Sequence, residues 1–300
     1  MKDFISAIVK AILAAGLVLC LIAATAFAQT QPVTEVVYYT ADGEQPALKR
    51  HNMRLLRLAL EKTKSQYGPF ELSERTSKDG QMGALKSLNG QNLAIPVMPT
   101  MTDKIREKVF IPVRVPLYKG LFGVRLVVIK SESEPRFARA SELGILRQFG
   151  FGQGRDWPDA QILRDNNYMV RGYDDKESLF NGLSYGEFDF FPRSVAEVWE
   201  ELDHHSDKNL KVLDGVYMYY PTAVYFFLGK NRESAELSKR IARGLQVAIE
   251  DGSFNRIFDE TMGEFLEWAD LASRKEIRLK NVLLPDNSPL EEARYWYINK

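Results

Sequence analysis

The chain has 300 residues, 45% hydrophobic and 27% charged, an ordinary globular composition with room for one large or two modest domains. Lys plus Arg and Asp plus Glu both number 40, so no charge excess recommends a nucleic-acid partner. With a single cysteine, Cys20, the chain cannot build a disulfide framework or a Cys-based metal site.

The first 28 residues read as an export signal. Lys2 and Lys10 make a short basic start, no residue over 11–28 is charged, and the run ends Ala26-Phe27-Ala28, the small-x-small pattern of a cleavage site. An uncleaved anchor would need a comparable length of apolar chain, but small residues crowd the second half and no stop-transfer charges follow. A lipoprotein reading for Cys20 fails because Leu19 precedes it and the apolar run continues to Ala28. Cleavage after Ala28 and a periplasmic location are therefore expected, with the lone cysteine removed.

The rest alternates strand and helix patterns. Residues 34–40 (TEVVYYT) are β-branched and aromatic, a strand by composition. A helix follows with Met53, Leu56, Leu60 and Tyr67 on one face, stopped by Gly68-Pro69. Strand 70–74, helix 81–88 and strand 93–97 complete a βαβαβ run, which predicts a parallel sheet. Residues 109–130 read as two strands meeting at a bend marked by Lys119-Gly120 and Gly123. The pattern then restarts: strand 145–149, helix 158–165, strand 168–173, helix 176–185, strand 188–191, helix 194–204 and a short strand at 210–213. This restart predicts a second α/β unit of about a hundred residues. Residues 215–228 read as extended, and Leu237, Ile241, Leu245 and Ile249 mark a helix ended by Asp251-Gly252. Two further helical segments carry Phe254, Ile257 and Phe258, then Phe265, Trp268 and Leu271; the tail ends with Tyr295, Trp296 and Tyr297.

Familiar chemistries find little support. The three histidines, His51, His204 and His205, lack metal-ligand spacing, so no metal or other cofactor is expected. No G-x-S-x-G elbow occurs, and Glu264 with Glu267 reads as the solvated edge of an amphipathic helix. The run Gly150-Phe151-Gly152-Gln153-Gly154, placed between a strand and a helix opening at Asp156-Trp157-Pro158, offers backbone N–H groups to an anionic ligand. Arg155 would add charge and Trp157 a flat apolar wall. Pro192-Arg193 stands at the matching strand end one unit later, where open α/β sheets bind ligands, and 114–123 (RVPLYKGLFG) is a third candidate.

Four stretches, VPLYKGLFGVRLVVI (115–129), FGQGRDWPDAQIL (151–163), GLSYGEFDFFPRSVAEV (182–198) and LKNVLLPDNSPLEEARYWY (279–297), together resemble the type II periplasmic solute-binding proteins, family 3 group. The resemblance implies an α/β fold of two lobes joined by two hinge crossovers: residues 29–121 with 219–300 form the first lobe and 122–218 the second. It places ligand contacts at Tyr39 and Thr40, at Arg114, Pro116 and Leu117, at Gln153, Arg155, Asp156 and Trp157, and at Pro192-Arg193. Amino-acid binders of this kind also carry a small hydroxyl residue followed by an arginine that clamps the α-carboxylate; the stretch Val115-Pro116-Leu117-Tyr118-Lys119 lacks that spacing. The implied function is non-enzymatic capture of a small anionic or amino-acid-like solute by a monomer, with an ABC permease as membrane partner. Two rivals stand beside it: a dehydratase-like enzyme on the same scaffold using Asp156 or Asp189, and a sensory or assembly module using the Tyr295–Tyr297 tail.

Overall fold

The computed structural model describes residues 32–297 apart from 42, 91, 92, 141 and 143. The export signal and its cleavage site lie outside the described residues. Among the described residues, no helix is long and apolar enough to cross a membrane.

The first half builds the βαβαβ unit that the pattern predicts. β1 (Thr34–Ala41) lies between β2 (Phe70–Ser77) and β3 (Ile95–Met101), parallel to both. Helix α1 (Pro46–Lys62) starts with proline in its first turn, where the missing N–H leaves no bond unmade. It buries Leu48, His51, Leu55, Leu56, Ala59 and Leu60. Tyr67, expected on the same helix face, lies in a separate short helix, α2 (Lys64–Tyr67). The helix α3 (Gly80–Ser87) precedes β3, and α4 (Lys104–Val109) follows it. Asp103 caps α4, its Oδ1 accepting from the N–H groups of Ile105 and Arg106 at 2.7 Å each. β4 (Ile111–Val113) leads to the first crossover.

The second lobe carries β5 (Val124–Lys130), β6 (Gly150–Gly154), α5 (Pro158–Asp165), β7 (Met169–Tyr173), α6 (Lys176–Ser184), β8 (Phe191–Ser194), α7 (Val198–His204), β9 (Leu210–Val212) and β10 (Val216–Tyr219). Three sequence expectations shift here. Residues 145–148 form a 3-10 turn, and the glycine run 150–154 is itself the strand. The strand expected at 188–191 lies at Phe191–Ser194, and the helix after it begins at Val198. In both strand cases an apolar approach segment imitates a strand, while the ladder forms where β7 pairs with the glycine run and β5 pairs with β8.

After β10 the chain returns through β11 (Val224–Leu228), which joins the first sheet between β3 and β4 and is antiparallel to both. Long helices α8 (Arg232–Glu250) and α9 (Ser253–Ala269) pack against α1. The two helical segments expected in the latter region are one continuous helix. The two sheets therefore define two lobes, β2-β1-β3-β11-β4 in one and β10-β5-β8 with β9 on β5 in the other, while β6 and β7 pair beside the second. Strand β12 (Lys275–Arg278) corrects one expectation: it pairs with β10 in the second lobe, so 219–300 does not lie wholly in the first. Its four residues, KEIR, carry too little strand character to stand out in sequence.

The crossovers meet closely. A Cβ on Gly123 would stand 2.0 Å from the Tyr220 carbonyl oxygen, so only glycine lets the two backbones touch there. Beneath the first crossover, buried His51 holds Leu117: its Nε2 lies 2.8 Å from the Leu117 carbonyl and its Nδ1 2.6 Å from the Thr261 hydroxyl. Nε2 therefore carries the proton and donates, and Nδ1 accepts.

Candidate functional site

Between the lobes lies a cavity of about 280 Å³. Its first-lobe wall comes from the end of β1, the start of α1 and the segment running from β3 into α4. The crossover contributes Tyr118 and Phe122, and the second lobe contributes Arg125, Trp157 to Asp159, Asp174 to Lys176, Arg193 and Glu197.

Of the residues expected at the site, the structure brings together Tyr39, Thr40, Trp157 and Arg193. The others stand elsewhere. Arg114 is part-exposed and pairs with Glu107. Leu117 is fully buried, with its backbone tied to Val224 and His51. Gln153 is buried behind the wall, its Nε2 donating to the Pro192 carbonyl at 3.1 Å and its Oε1 unpartnered. Arg155 points to solvent and pairs with Asp174 at 2.7 Å, and Asp156 is exposed. Asp189, the other acid proposed for catalysis, accepts from the Gly150 N–H at 3.0 Å and pairs with Arg136 at 3.2 Å, away from the cavity.

The glycine run has a packing role that the anion-binding reading did not foresee. A Cβ on Gly154 would meet the Trp157 ring at 2.3 Å, and one on Gly152 would meet the Phe188 ring at 2.2 Å. These glycines are seats for aromatic rings. Trp157 is held there, with the Arg193 guanidinium carbon 5.0 Å from its ring centroid.

Arg193 is not an open cation. Its Nε and Nη2 donate to Glu201 at 2.6 and 2.7 Å, and Nη2 also lies 2.8 Å from Glu197. Arg125 bridges Glu197, at 3.4 Å, and Asp159, whose carboxylate also accepts from Tyr220. Lys176 reaches Glu201 at 3.3 Å. The result is an alternating chain: Asp159, Arg125, Glu197, Arg193, Glu201, Lys176. Burial by itself would lower the Arg193 pKa, but Glu197 and Glu201 outweigh it and raise it. Burial raises the carboxyl pKa of Glu197, whereas at Glu201 the pull of Arg193 and Lys176 overcomes burial and lowers it. Within this chain three cations face three carboxylates, so the chain neutralises itself; of the other second-lobe carboxylates that line the cavity, Asp174 pairs with Arg155 and Asp175 caps α6.

The first-lobe wall differs. Arg106 is buried, its Nη1 donating to Thr100 Oγ1 at 2.9 Å and to the Met101 carbonyl at 2.7 Å, and its Nη2 donating to Gln81 at 2.9 Å. Asp103 lies 3.3 Å from Nε. Four of its five N–H groups are thereby engaged and one Nη2 N–H remains. Burial lowers its pKa and Asp103 opposes that shift. A small hydroxyl followed by an arginine thus exists in this chain, at Thr100 and Arg106. The stretch 115–119 lacks the pair, which the end of β3 and α4 bring together instead. The available signal was a hydroxyl at a strand end followed within two helical turns by arginine.

Glu44, at the same wall, accepts from Tyr38 at 3.0 Å, from Asn52 at 3.3 Å and from Thr40, and no salt bridge reaches it among the described residues. Burial raises its pKa, opposed by the hydrogen bonds from Thr40, Tyr38 and Asn52. Asn52 is fixed in turn by the Tyr118 hydroxyl, which donates to its Oδ1 at 2.9 Å. At the mouth the lobes touch directly: Lys176 Nζ donates to the Gly43 carbonyl at 2.8 Å, Gln45 to Glu201 at 2.6 Å, and the Ala47 N–H to Glu200 at 3.0 Å. No group of three potential metal ligands occurs among the described residues.

No protein-family model matches this chain, and no curated protein does. Solved structures do match in fold. A histidine kinase sensor domain with similarity to periplasmic binding proteins superposes with a TM-score of 0.58 at 15% identity, covering 78% of this chain and 97% of that one. A Salmonella typhimurium periplasmic binding protein of high arginine specificity gives 0.55 at 15% identity, covering 76% and 99%. An amino acid ABC transporter substrate-binding protein from Streptococcus pneumoniae, bound to L-arginine, gives 0.54 at 14% identity, covering 76% and 94%. The two-lobed α/β fold of periplasmic binding proteins is the fold of this chain.

Proposed function

We propose that this chain is a periplasmic solute-binding protein that captures a compact zwitterion, amino-acid-like in character, and delivers it to an ABC permease as a monomer. The observation that carries the reading is the charge arrangement of the cavity. Arg106 and Glu44 stand on the first-lobe wall, one offering a guanidinium N–H and the other a carboxylate that no salt bridge reaches among the described residues, while the second-lobe chain balances itself. A carboxylate on the solute would take the Arg106 N–H, and an ammonium or other cationic group would take Glu44. Each such charge-assisted bond contributes about 1.5–3 kcal/mol. Trp157 and Tyr118 would cover the apolar remainder. A cavity of about 280 Å³ sits at the small end of ligand sites, which suits a compact solute. The solved relatives that bind arginine or serve amino-acid transporters share this fold, which supports the class of function and leaves the particular solute to experiment.

The enzyme reading is the weaker one. Asp156 is exposed and Asp189 is engaged in structural contacts outside the cavity, so neither stands where a substrate would. Native mass spectrometry of protein from the periplasm, followed by thermal-shift screening against amino acids, simple amines and simple carboxylates, tests the proposal. A released or stabilising zwitterion is the expected result. Stabilisation by monocarboxylates but by no amine-bearing solute would overturn the role of Glu44, and no stabilisation by any of the three classes would overturn the whole reading.

A further inference from the structure

A two-lobed protein needs only two chain passages between its lobes, and here there are four among the described residues. Residues 114–123 and 220–223 form the adjacent pair at Gly123. The C-terminal segment adds the other two. Helix α9 packs on α1 and α8 of the first lobe, yet its last turns are held by the second: Trp199 Nε1 donates to the Phe265 carbonyl at 3.1 Å. Arg274 then spans both, donating to the Ala269 carbonyl at 2.7 Å and the Leu213 carbonyl at 2.6 Å. β12 continues along β10, with Lys275 N–H on the Gly215 carbonyl at 2.9 Å and Leu279 N–H on the Tyr219 carbonyl at 2.7 Å. Asn166 grips Lys280 on both sides, accepting from its N–H at 3.0 Å and donating to its carbonyl at 2.8 Å. The tail then returns to the first lobe, where the Lys104 N–H meets the Leu283 carbonyl at 3.0 Å and Trp296 lies over Gly120.

Position along β10 gives this segment its mechanical meaning. β10 feeds the hinge from its C-terminal end, whereas β12 enters beside its start, four residues away, a distance of about 13 Å at strand rise. A hinge axis through the paired passages runs across them, so a point displaced along β10 lies off that axis. Opening the lobes by about 30° would move that point by about 7 Å, given the same strand rise. The connection at 270–274 is short and bonded at both ends, so it cannot follow without breaking these contacts.

We infer that residues 265–297 form an off-axis tether that restricts the opening of the lobes. Paired Trp199→Phe and Asn166→Ala substitutions loosen it at two points while sparing the cavity. With Cys20 replaced by Ser, spin labels at Arg50→Cys and Asp203→Cys, exposed positions on opposite lobes, report the interlobe distance in the full chain by pulsed electron resonance. The expected result is one narrow distribution for the tethered protein, broadened toward distances longer by about 5 Å or more, on the strand-rise geometry, in the loosened variant. A tethered protein already as broad as the variant overturns the inference. Amide exchange of the unlabelled chain gives a second, mutation-free reading. Lys275 and Leu279 are expected to exchange as slowly as the β10 amides, and exchange of both well ahead of β10 refutes a tether.

Discussion

Replacing Arg193 by methionine is expected to destabilise the fold far more than it alters recognition. Arg193 is 3% exposed and makes bonds of 2.6, 2.7 and 2.8 Å to two buried carboxylates. Without it, Glu201 keeps Gln45 and Lys176, but Glu197 keeps only a 3.4 Å contact with Arg125 and the Ser194 N–H at 3.3 Å. Breaking a buried pair by removing one partner costs about 3–5 kcal/mol, because the remaining charge stays desolvated. At two to four degrees per kcal/mol for a chain of this size, Tm should fall by roughly 6–20 °C. Arg193→Met leaves both carboxyls desolvated without their main cation, so their pKa values rise and the unfolded state binds fewer protons than the folded one near pH 5–7. The deficit should therefore shrink as pH falls from 7 to 5, and Arg193→Met with Glu197→Gln should recover part of it. Urea unfolding at several pH values measures both effects. A loss below about 1 kcal/mol at pH 7, with no pH dependence of the difference, would refute the reasoning on the scale set by exposed pairs.

Three other perturbations probe different layers of the molecule. Burial pushes the His51 imidazole down to about 4 from 6.5, so the unfolded state takes up a proton first as pH falls; stability should drop by about 3 kcal/mol between pH 6.5 and 4, and His51→Gln should flatten that dependence in denaturant titrations. Gly154→Ala puts a methyl group into the Trp157 ring and should cost about 1–3 kcal/mol, with a red-shifted tryptophan emission as the ring leaves its seat. Trp296→Ala empties the contact over Gly120 and should cost about 3–5 kcal/mol in the same unfolding assay.

The first lobe was legible because its strands are β-branched and aromatic and its helices have clear apolar faces; a βαβαβ order leaves little choice but a parallel sheet. The glycine run was misread because Gly150, Gly152 and Gly154 weaken a strand pattern, and what they accommodate, the rings of Phe188 and Trp157, comes from other segments. Arg193 reads as a ligand contact at a strand end, although Glu197 and Glu201 follow at helix-like spacing, a signal of neutralisation. Arg106 hides in KIREKV, which looks like an exposed helix; its burial depends on the Asp103 cap and on contact with the end of β3, neither of which periodicity reveals. Glu44 is likewise unremarkable until Tyr38, Thr40 and Asn52 converge on it.

Calorimetric titration of the chain with the zwitterion selected by thermal-shift screening bears most directly on the cavity's role. The account predicts saturable binding to the unaltered protein, weakened by at least tenfold, about 1.4 kcal/mol, in Arg106→Met and independently in Glu44→Gln, with both variants still folded. Unchanged affinity in both variants would contradict it.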